Sequence, residues 1–244
     1  PRRDEHGYGL SKKGIDEILS NSKFKIQNSK FLIITVDNGI VAHKAVDYAK
    51  SKGIDVIITD HHQKKSEHDL PKAEAIVWSD KVSGAGVAWT LAKEILKRSD
   101  LAATQGRTLN KNNLDLLAIG TIADMMPLKE INRSIVKYGL EELNKTGRPG
   151  LLALFKEAGL REGSIEAWHV GYIIAPRLNA MGRLTTAWDS LRLLCTKKEE
   201  RALKLASLLG LKNRERQNLT LKTFEHAKQI SNLKTQNSKL IFVS

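Results

Sequence analysis

The feature that most restricts how this chain can fold is the run Ile54-Asp55-Val56-Ile57-Ile58-Thr59, mostly apolar and β-branched, which follows Gly53 and stops abruptly at Asp60-His61-His62. A run of this kind, bounded by a glycine and by polar residues, predicts a buried strand of a parallel sheet. A second run, Phe31-Leu32-Ile33-Ile34-Thr35-Val36, ends in Asp37-Asn38-Gly39. Between the two, Val41, Ala45, Val46 and Ala49 recur at helical spacing, and Gly53 supplies the stop signal. Strand, helix and strand in this order give a right-handed crossover between parallel strands. Asp37 and the Asp60-His61-His62 cluster are therefore expected at one edge of the sheet, where open α/β sheets place their chemistry.

Further along, Ala75-Ile76-Val77-Trp78 predicts a third short strand, and Ser83-Gly84-Ala85-Gly86 opens a helix to about Lys97. Asn113 to Asp124 reads as a mostly apolar helix ended by Met125-Met126-Pro127. Ser11 to Leu19 reads as a short amphipathic helix; helices are also expected over 132–144, 151–158 and 186–194, and 164–175 is apolar enough to be buried on most sides. From Lys197 to about Ile230 there is no proline and one glycine, which reads as one long charged helix or two in series, of the kind that bridges domains.

With 244 residues, 41% of them hydrophobic, the chain can bury a substantial core. The expected division is a core over 1–196, a long linker helix region over 197–235, and the first strand of a second domain over 236–244. Residue 1 is Pro rather than Met, and Lys239 to Ser244 reads as a strand just beginning, so both ends are expected to be cut from something longer. A polar lead-in to a strand occurs at 27–33 and again at 236–242; one repetition makes no repeat architecture.

A formal net charge of +13 favours a polyanionic partner such as nucleic acid, although part of such an excess is ordinarily solvated lysine. Cys195 is the single cysteine, so an intrachain disulfide and a cysteine zinc site are both excluded, and it reads as buried filler after Leu193-Leu194. No apolar run approaches the roughly 20 residues that span a bilayer. These features read as a soluble cytoplasmic protein with no membrane partner.

Asp37, Asp60, His61 and Asp124 form the strongest chemical set. Carboxylates with an imidazole suit hard or borderline cations such as Mg²⁺ and Mn²⁺. Asp124 follows an apolar helix with no basic residue until Lys129, and an unpaired buried carboxylate there is costly unless a cation relieves it. The ordinary alternative is that Asp37 caps a turn, Asp124 ends a helix and the histidines are surface residues. Neighbours at a strand end point in different directions, so His61 and His62 are expected to differ in role, one on a metal and the other facing a substrate phosphate. Ser83 and Gly84 at a helix start offer backbone N–H groups to a phosphate, or simply a serine cap. Arg177 and Arg183, with Asn179 between them, suit phosphate recognition or salt bridges. Trp78, Trp89, Trp168 and Trp188 sit in apolar-periodic stretches and are expected in the core rather than stacked on bases.

Five stretches in order, Val36-Asp37-Asn38-Gly39, Thr59-Asp60-His61-His62, Ser83-Gly84-Ala85-Gly86-Val87-Ala88, Gly120 to Leu128 and Pro176 to Leu184, resemble the DHH phosphoesterases. Within that family they resemble the RecJ single-strand-specific 5′→3′ DNA exonucleases, as does Glu5 with Gly7-Tyr8-Gly9-Leu10. The resemblance implies a DHH-type Rossmann-like parallel sheet flanked by helices, followed by a long connecting helix and a second domain. It implies a metal-dependent phosphodiesterase acting on single-stranded DNA in recombination and repair, alongside repair or replication proteins. Asp37 would bridge two Mn²⁺ or Mg²⁺ ions, His61 and Asp124 would bind one of them, Asp60 would orient His61, and His62 would contact the scissile phosphate. The stretch from Arg177 to Arg183 would line the DNA path. The family's Asp-rich first motif and its glycine-rich second-domain motif are not in this sequence. At most one well-formed metal site and weak activity are therefore expected of the chain by itself. Two alternatives stay open: a DHH phosphodiesterase for oligonucleotides or cyclic dinucleotides, and a non-catalytic nucleic-acid-binding relative.

Overall fold

In the computed structural model, which describes residues 3–20, 31–66, 68–98, 113–184 and 187–234, the expected crossover is formed. Strand β1 (Leu32–Val36) leads through helix α3 (His43–Ser51) to β2 (Asp55–Asp60), and β3 (Ala75–Trp78) completes a sheet of order β1-β2-β3. All pairings are parallel, Leu32 opposite Asp55 through Val36 opposite Thr59, and Ile57 opposite Ala75 through Asp60 opposite Trp78. This register brings the carboxyl ends of β1 and β2 level, and Asp37 N–H donates to the Thr59 carbonyl at 2.9 Å.

Two short helices precede β1, α1 (Arg3–His6) and α2 (Lys12–Ser20). Ile15 of α2 and Ala45, Val46 and Ala49 of α3 pack with Ile54, Val56 and Ile58 into one buried cluster. Each of the valine and isoleucine side chains contributes about 1.5–3 kcal/mol when fully removed from water. The sheet is not buried throughout: Leu32, Ile34 and Val36, alternate residues on one face of the edge strand, are about half exposed.

Helix α4 (Gly84–Arg98) follows the sheet, and α5 (Leu114–Ala123) packs on α6 (Glu130–Leu143). The later elements are α7 (Pro149–Glu157), α8 (Ala167–His169), a π-helical turn (Val170–Ile174), α9 (Ala175–Leu184), α10 (Trp188–Cys195) and α11 (Glu199–Lys234). The long polar stretch is thus one helix of 36 residues.

The described chain divides into two compact units, one of residues up to 147 with 161–175, the other of 148–160 with residues from 176 onward. This division differs from the expected break at 196/197, because α11 packs on α7 and α10 through Ala202, Ala206 and Leu209 instead of standing apart as a linker. The strand expected over 236–244 and the repeated polar lead-ins lie outside the described residues. Among the described residues, no helix is long and apolar enough to cross a membrane.

Three expectations about burial are corrected. Trp168 and Trp188 are 58% and 60% exposed, since each sits on the outward face of its helix, and Tyr172 one turn beyond Trp168 is exposed too. Cys195 is exposed at the end of α10, where Leu193 takes the inward position. Asp124 is not buried; its side chain is 39% exposed, as suits a residue capping the end of α5.

Candidate metal centre

Three segments bring carboxylates and imidazoles together beyond the sheet. Asp37 follows β1 with φ +63, a left-handed conformation that costs a non-glycine residue energy and that clusters at functional sites. His61 and His62 follow β2, and Asp124 caps α5.

His61 Nε2 lies 3.0 Å from Asp37 Oδ1 and 3.4 Å from Asp124 Oδ2, with the His61 side chain only 11% exposed. At these distances a hydrogen bond is available, yet neither carboxylate is aligned for one and the buried Nε2 makes none. Oxygen or nitrogen ligands about 2.1 Å from an octahedral ion lie about 3.0 Å apart when adjacent, so the 3.0 Å between His61 Nε2 and Asp37 Oδ1 is that of neighbouring ligands around one cation. His62 adds a further donor, since Asp37, His61 and His62 offer ligand atoms within 4.8 Å of one another. The donor set, carboxylates with imidazole and no thiolate, fits Mn²⁺ or Mg²⁺.

Gly84 explains how Asp37 reaches this position. A Cβ built on Gly84 would overlap the Asp37 carboxylate, so only glycine lets the start of α4 come this close. Ser83 is buried and its Oγ accepts the Gly86 N–H at 3.3 Å, the helix-capping alternative for this residue. Burial raises the Asp37 pKa above its ordinary 3.8; the charges of His61 and His62 oppose this and those of Asp124 and Asp60 add to it.

Asp60 is 1% exposed and serves a different ring from the one expected. Its Oδ1 accepts the His62 Nδ1–H at 2.7 Å and the His61 and His62 backbone N–H groups at 2.8 and 3.2 Å, while Oδ2 accepts the Ile40 N–H at 2.9 Å. Asp60 therefore orients the ring of His62, not that of His61, because its carboxylate turns under the loop while His61 swings toward Asp37. Gly39, at φ +118, supplies the turn that aims the Ile40 N–H at Asp60. Burial alone would push the Asp60 carboxyl up, but the bonds from Ile40, His62 and His61 outweigh it and its pKa is lowered. The same bond to Asp60 raises the His62 pKa against the effect of burial, helped by the charges of Asp60, Asp37 and Asp124. His62 is 59% exposed at its side chain and faces outward, whereas His61 faces in.

Two contacts had no signal in the sequence. Trp78 Nε1 donates to the His62 carbonyl at 2.8 Å, with Lys64 Nζ 3.9 Å above the indole centroid. Asn132, 4% exposed, donates from Nδ2 to the carbonyls of Lys81 and Pro127.

Of the expected phosphate-binding arginines, Arg177 in the second unit donates from Nε to Glu157 Oε2 at 2.8 Å, and Glu157 Oε1 also takes Arg214 at 2.9 Å. Asn179 is exposed on the same helix, and Arg183 belongs to it, though the Arg183 side chain lies outside the described ones.

Residues 7–121 match the DHH family, N-terminal domain. That segment carries the likeness to the DHH family. The chain is 38% identical over 236 residues to the single-stranded-DNA-specific exonuclease RecJ of Bacillus subtilis (strain 168), covering 93% of this chain and 28% of the relative. Against RecJ of Escherichia coli (strain K12) it is 35% identical over 237 residues, covering 90% and 39%. A crystal structure of exonuclease RecJ bound to manganese superposes with a TM-score of 0.77 at 33% identity, over 93% of this chain and 55% of that one. RecJ from Thermus thermophilus in complex with Mn²⁺ gives a TM-score of 0.70 at 34% identity, over 80% and 29%. The chain thus spans between 28% and 39% of the length of these curated relatives.

Proposed function

We propose that this chain is the central part of the catalytic core of a divalent-metal-dependent single-stranded-DNA 5′→3′ exonuclease, with Asp37, His61 and Asp124 holding Mn²⁺ or Mg²⁺. The observation that carries this reading is the buried His61 Nε2, 3.0 and 3.4 Å from two carboxylate oxygens and bonded to neither. The likeness to single-stranded-DNA-specific RecJ exonucleases supplies the substrate class; the 5′→3′ polarity is carried over from the resemblance read in the sequence.

A cation bound there supplies positive charge against the phosphodiester oxygens. The chain's own residues do the rest. Asp37 and Asp124 would neutralise and hold the ion, and the buried His61 would supply a nitrogen ligand to it. Asp60 holds His62 by Nδ1, which leaves Nε2 outward as the atom that meets the scissile phosphate. The raised His62 pKa favours the imidazolium, a charge-assisted donor to a phosphate oxygen. Arg177, Asn179 and Arg183 are assigned to the DNA path, and Asn179 is the one exposed residue among those whose side chains are described.

Calorimetric titration of the 244-residue chain with Mn²⁺ tests the site. One binding event is expected, weakened at least about tenfold by Asp37→Asn, His61→Ala or Asp124→Asn, as losing a ligand must cost no less than losing its outer support. Binding unchanged in all three variants rejects it. Digestion of long 5′-phosphorylated single-stranded DNA beside a dinucleotide, with the full-length protein, tests the substrate; preference for the dinucleotide favours an oligonucleotide phosphodiesterase.

A further inference from the structure

We propose that Asn132 is a positioning residue for this centre: its side-chain amide clamps the Asp124 loop to the turn before α4 and so sets where the Asp124 carboxylate stands. The proposal rests on the cation site read above.

Asp124 ends α5 and is followed by Met125 at φ +52 and, after Pro127, by Glu130 at φ +45. Together with Asp37 these are the non-glycine residues at positive φ among the described ones, so the loop carrying Asp124 is strained at both ends. A strained loop holds its shape only when its surroundings hold it. Its inner ties are short-range: Asp124 N–H to Gly120, Met125 N–H to Ile122 and Lys129 N–H to Pro127.

The long-range tie is Asn132. From the first turn of α6 its Nδ2 donates to the Pro127 carbonyl at 3.2 Å and to the Lys81 carbonyl, 51 residues away, at 2.9 Å. The orientation is dictated by its partners, since the flipped amide would set an oxygen against two carbonyl oxygens. Asn132 Oδ1 is buried and makes no hydrogen bond, so the side chain's bonds at this position are the two made by Nδ2. Lys81 lies two residues before Ser83-Gly84, and Gly84 is the residue against which Asp37 packs. One buried amide thus ties the loop of Asp124 to the turn that abuts Asp37, the two carboxylates that approach His61. Leucine is of similar volume but offers no donor.

The test uses wild type, Asn132→Ala, Asp124→Asn and the double variant, each with two readouts. Hydrogen exchange of the 124–129 backbone amides in metal-free protein reads the clamp without reference to any metal. Mn²⁺ affinity, followed by electron paramagnetic resonance into the millimolar range, reads the consequence. Asn132→Ala is expected to speed exchange of that segment and to weaken Mn²⁺ by about 10–100-fold. In the Asp124→Asn background the same change should add no more than about twofold, because its effect runs through Asp124. Unchanged exchange in folded Asn132→Ala overturns the clamp. Unchanged Mn²⁺ affinity, or an equal loss in both backgrounds, overturns its role at the centre and leaves a purely structural asparagine. Wild-type protein that fails to bind Mn²⁺ overturns the cation reading itself and the proposal with it. Should Asn132→Ala not fold, wild-type chain labelled with ¹⁵N-asparagine decides: slowly exchanging Nδ2 protons that shift on Mg²⁺ addition are expected, and fast exchange or no shift overturns the proposal.

Discussion

Asp60 takes four hydrogen bonds on its two oxygens, and that saturation explains why it is buried and ionised in a sheet core. Its bond to His62 has a definite pH window. His62 is raised above its ordinary 6.5, so the stabilisation from its protonated form is complete below about 6.5 and is lost as pH climbs through its higher folded value. Asp60 is lowered from 3.8, so its share is present above that and is lost as pH falls through its lower folded value. In metal-free protein, the stability gap between wild type and Asp60→Asn in urea should therefore be larger near about pH 5 than near about pH 8.5. A gap that grows with pH would contradict the assignment. Gly84 makes a second residue-scale prediction: Gly84→Ala should push Asp37 aside and weaken Mn²⁺ binding by about tenfold or more, with the fold retained by circular dichroism. The placement of Asp37 and of Asp60, His61 and His62 beyond one sheet edge was legible from the sequence because strand ends are where α/β sheets work, whereas Asp124, expected to be buried, stands exposed at a helix end. The partner of Asp60 was not legible, because which of two adjacent histidines turns inward depends on where Asp37 and Asp124 stand.

At the scale of elements, helix α11 shows how one sequence pattern changes its environment along its length. Ala202, Ala206, Leu209 and Asn213, spaced by three and four residues, are buried, whereas Leu219, Leu221 and Phe224 are more than half exposed. Leu209→Ala should therefore cost about 2–5 kcal/mol in chemical denaturation of this chain. Phe224→Ala should stay within about 0.5 kcal/mol, as surface changes do. Equal losses at both positions would contradict the burial pattern. Gly210 belongs to the same interface, since a Cβ there would meet the Glu157 carboxylate that holds Arg177 and Arg214. The helix as such was legible from its lack of proline. What it packs on was not, because Leu209 and Phe224 carry the same apolar signal. The same limit hid the stacked pair Trp168 and Tyr172, ring centroids 5.7 Å apart on an outward face.

For the molecule as a whole, the excess of positive charge is the property that predicts a polyanionic partner. At +13 the chain should bind single-stranded DNA with an affinity that falls steeply with salt. If about four phosphates are neutralised, raising salt fourfold weakens binding roughly 50-fold. Fluorescence anisotropy at two salt concentrations checks this, and a flat response would remove nucleic acid as the partner. Two aspects of this protein followed from the order of its residues alone. The parallel crossover and its rim of Asp37, Asp60 and the two histidines were set by β-branched runs alternating with a helical period, which are local signals. Charge sign and the want of a second cysteine are likewise counted rather than folded. Tertiary structure alone decided which imidazole meets the carboxylates, that Gly84 gives way to Asp37, that Cys195 faces out, and that Asn132 bridges carbonyls from two distant loops. Each of these depends on contacts between residues far apart in the chain, and no local preference for helix or strand encodes which distant atoms will share a hydrogen bond or a cation.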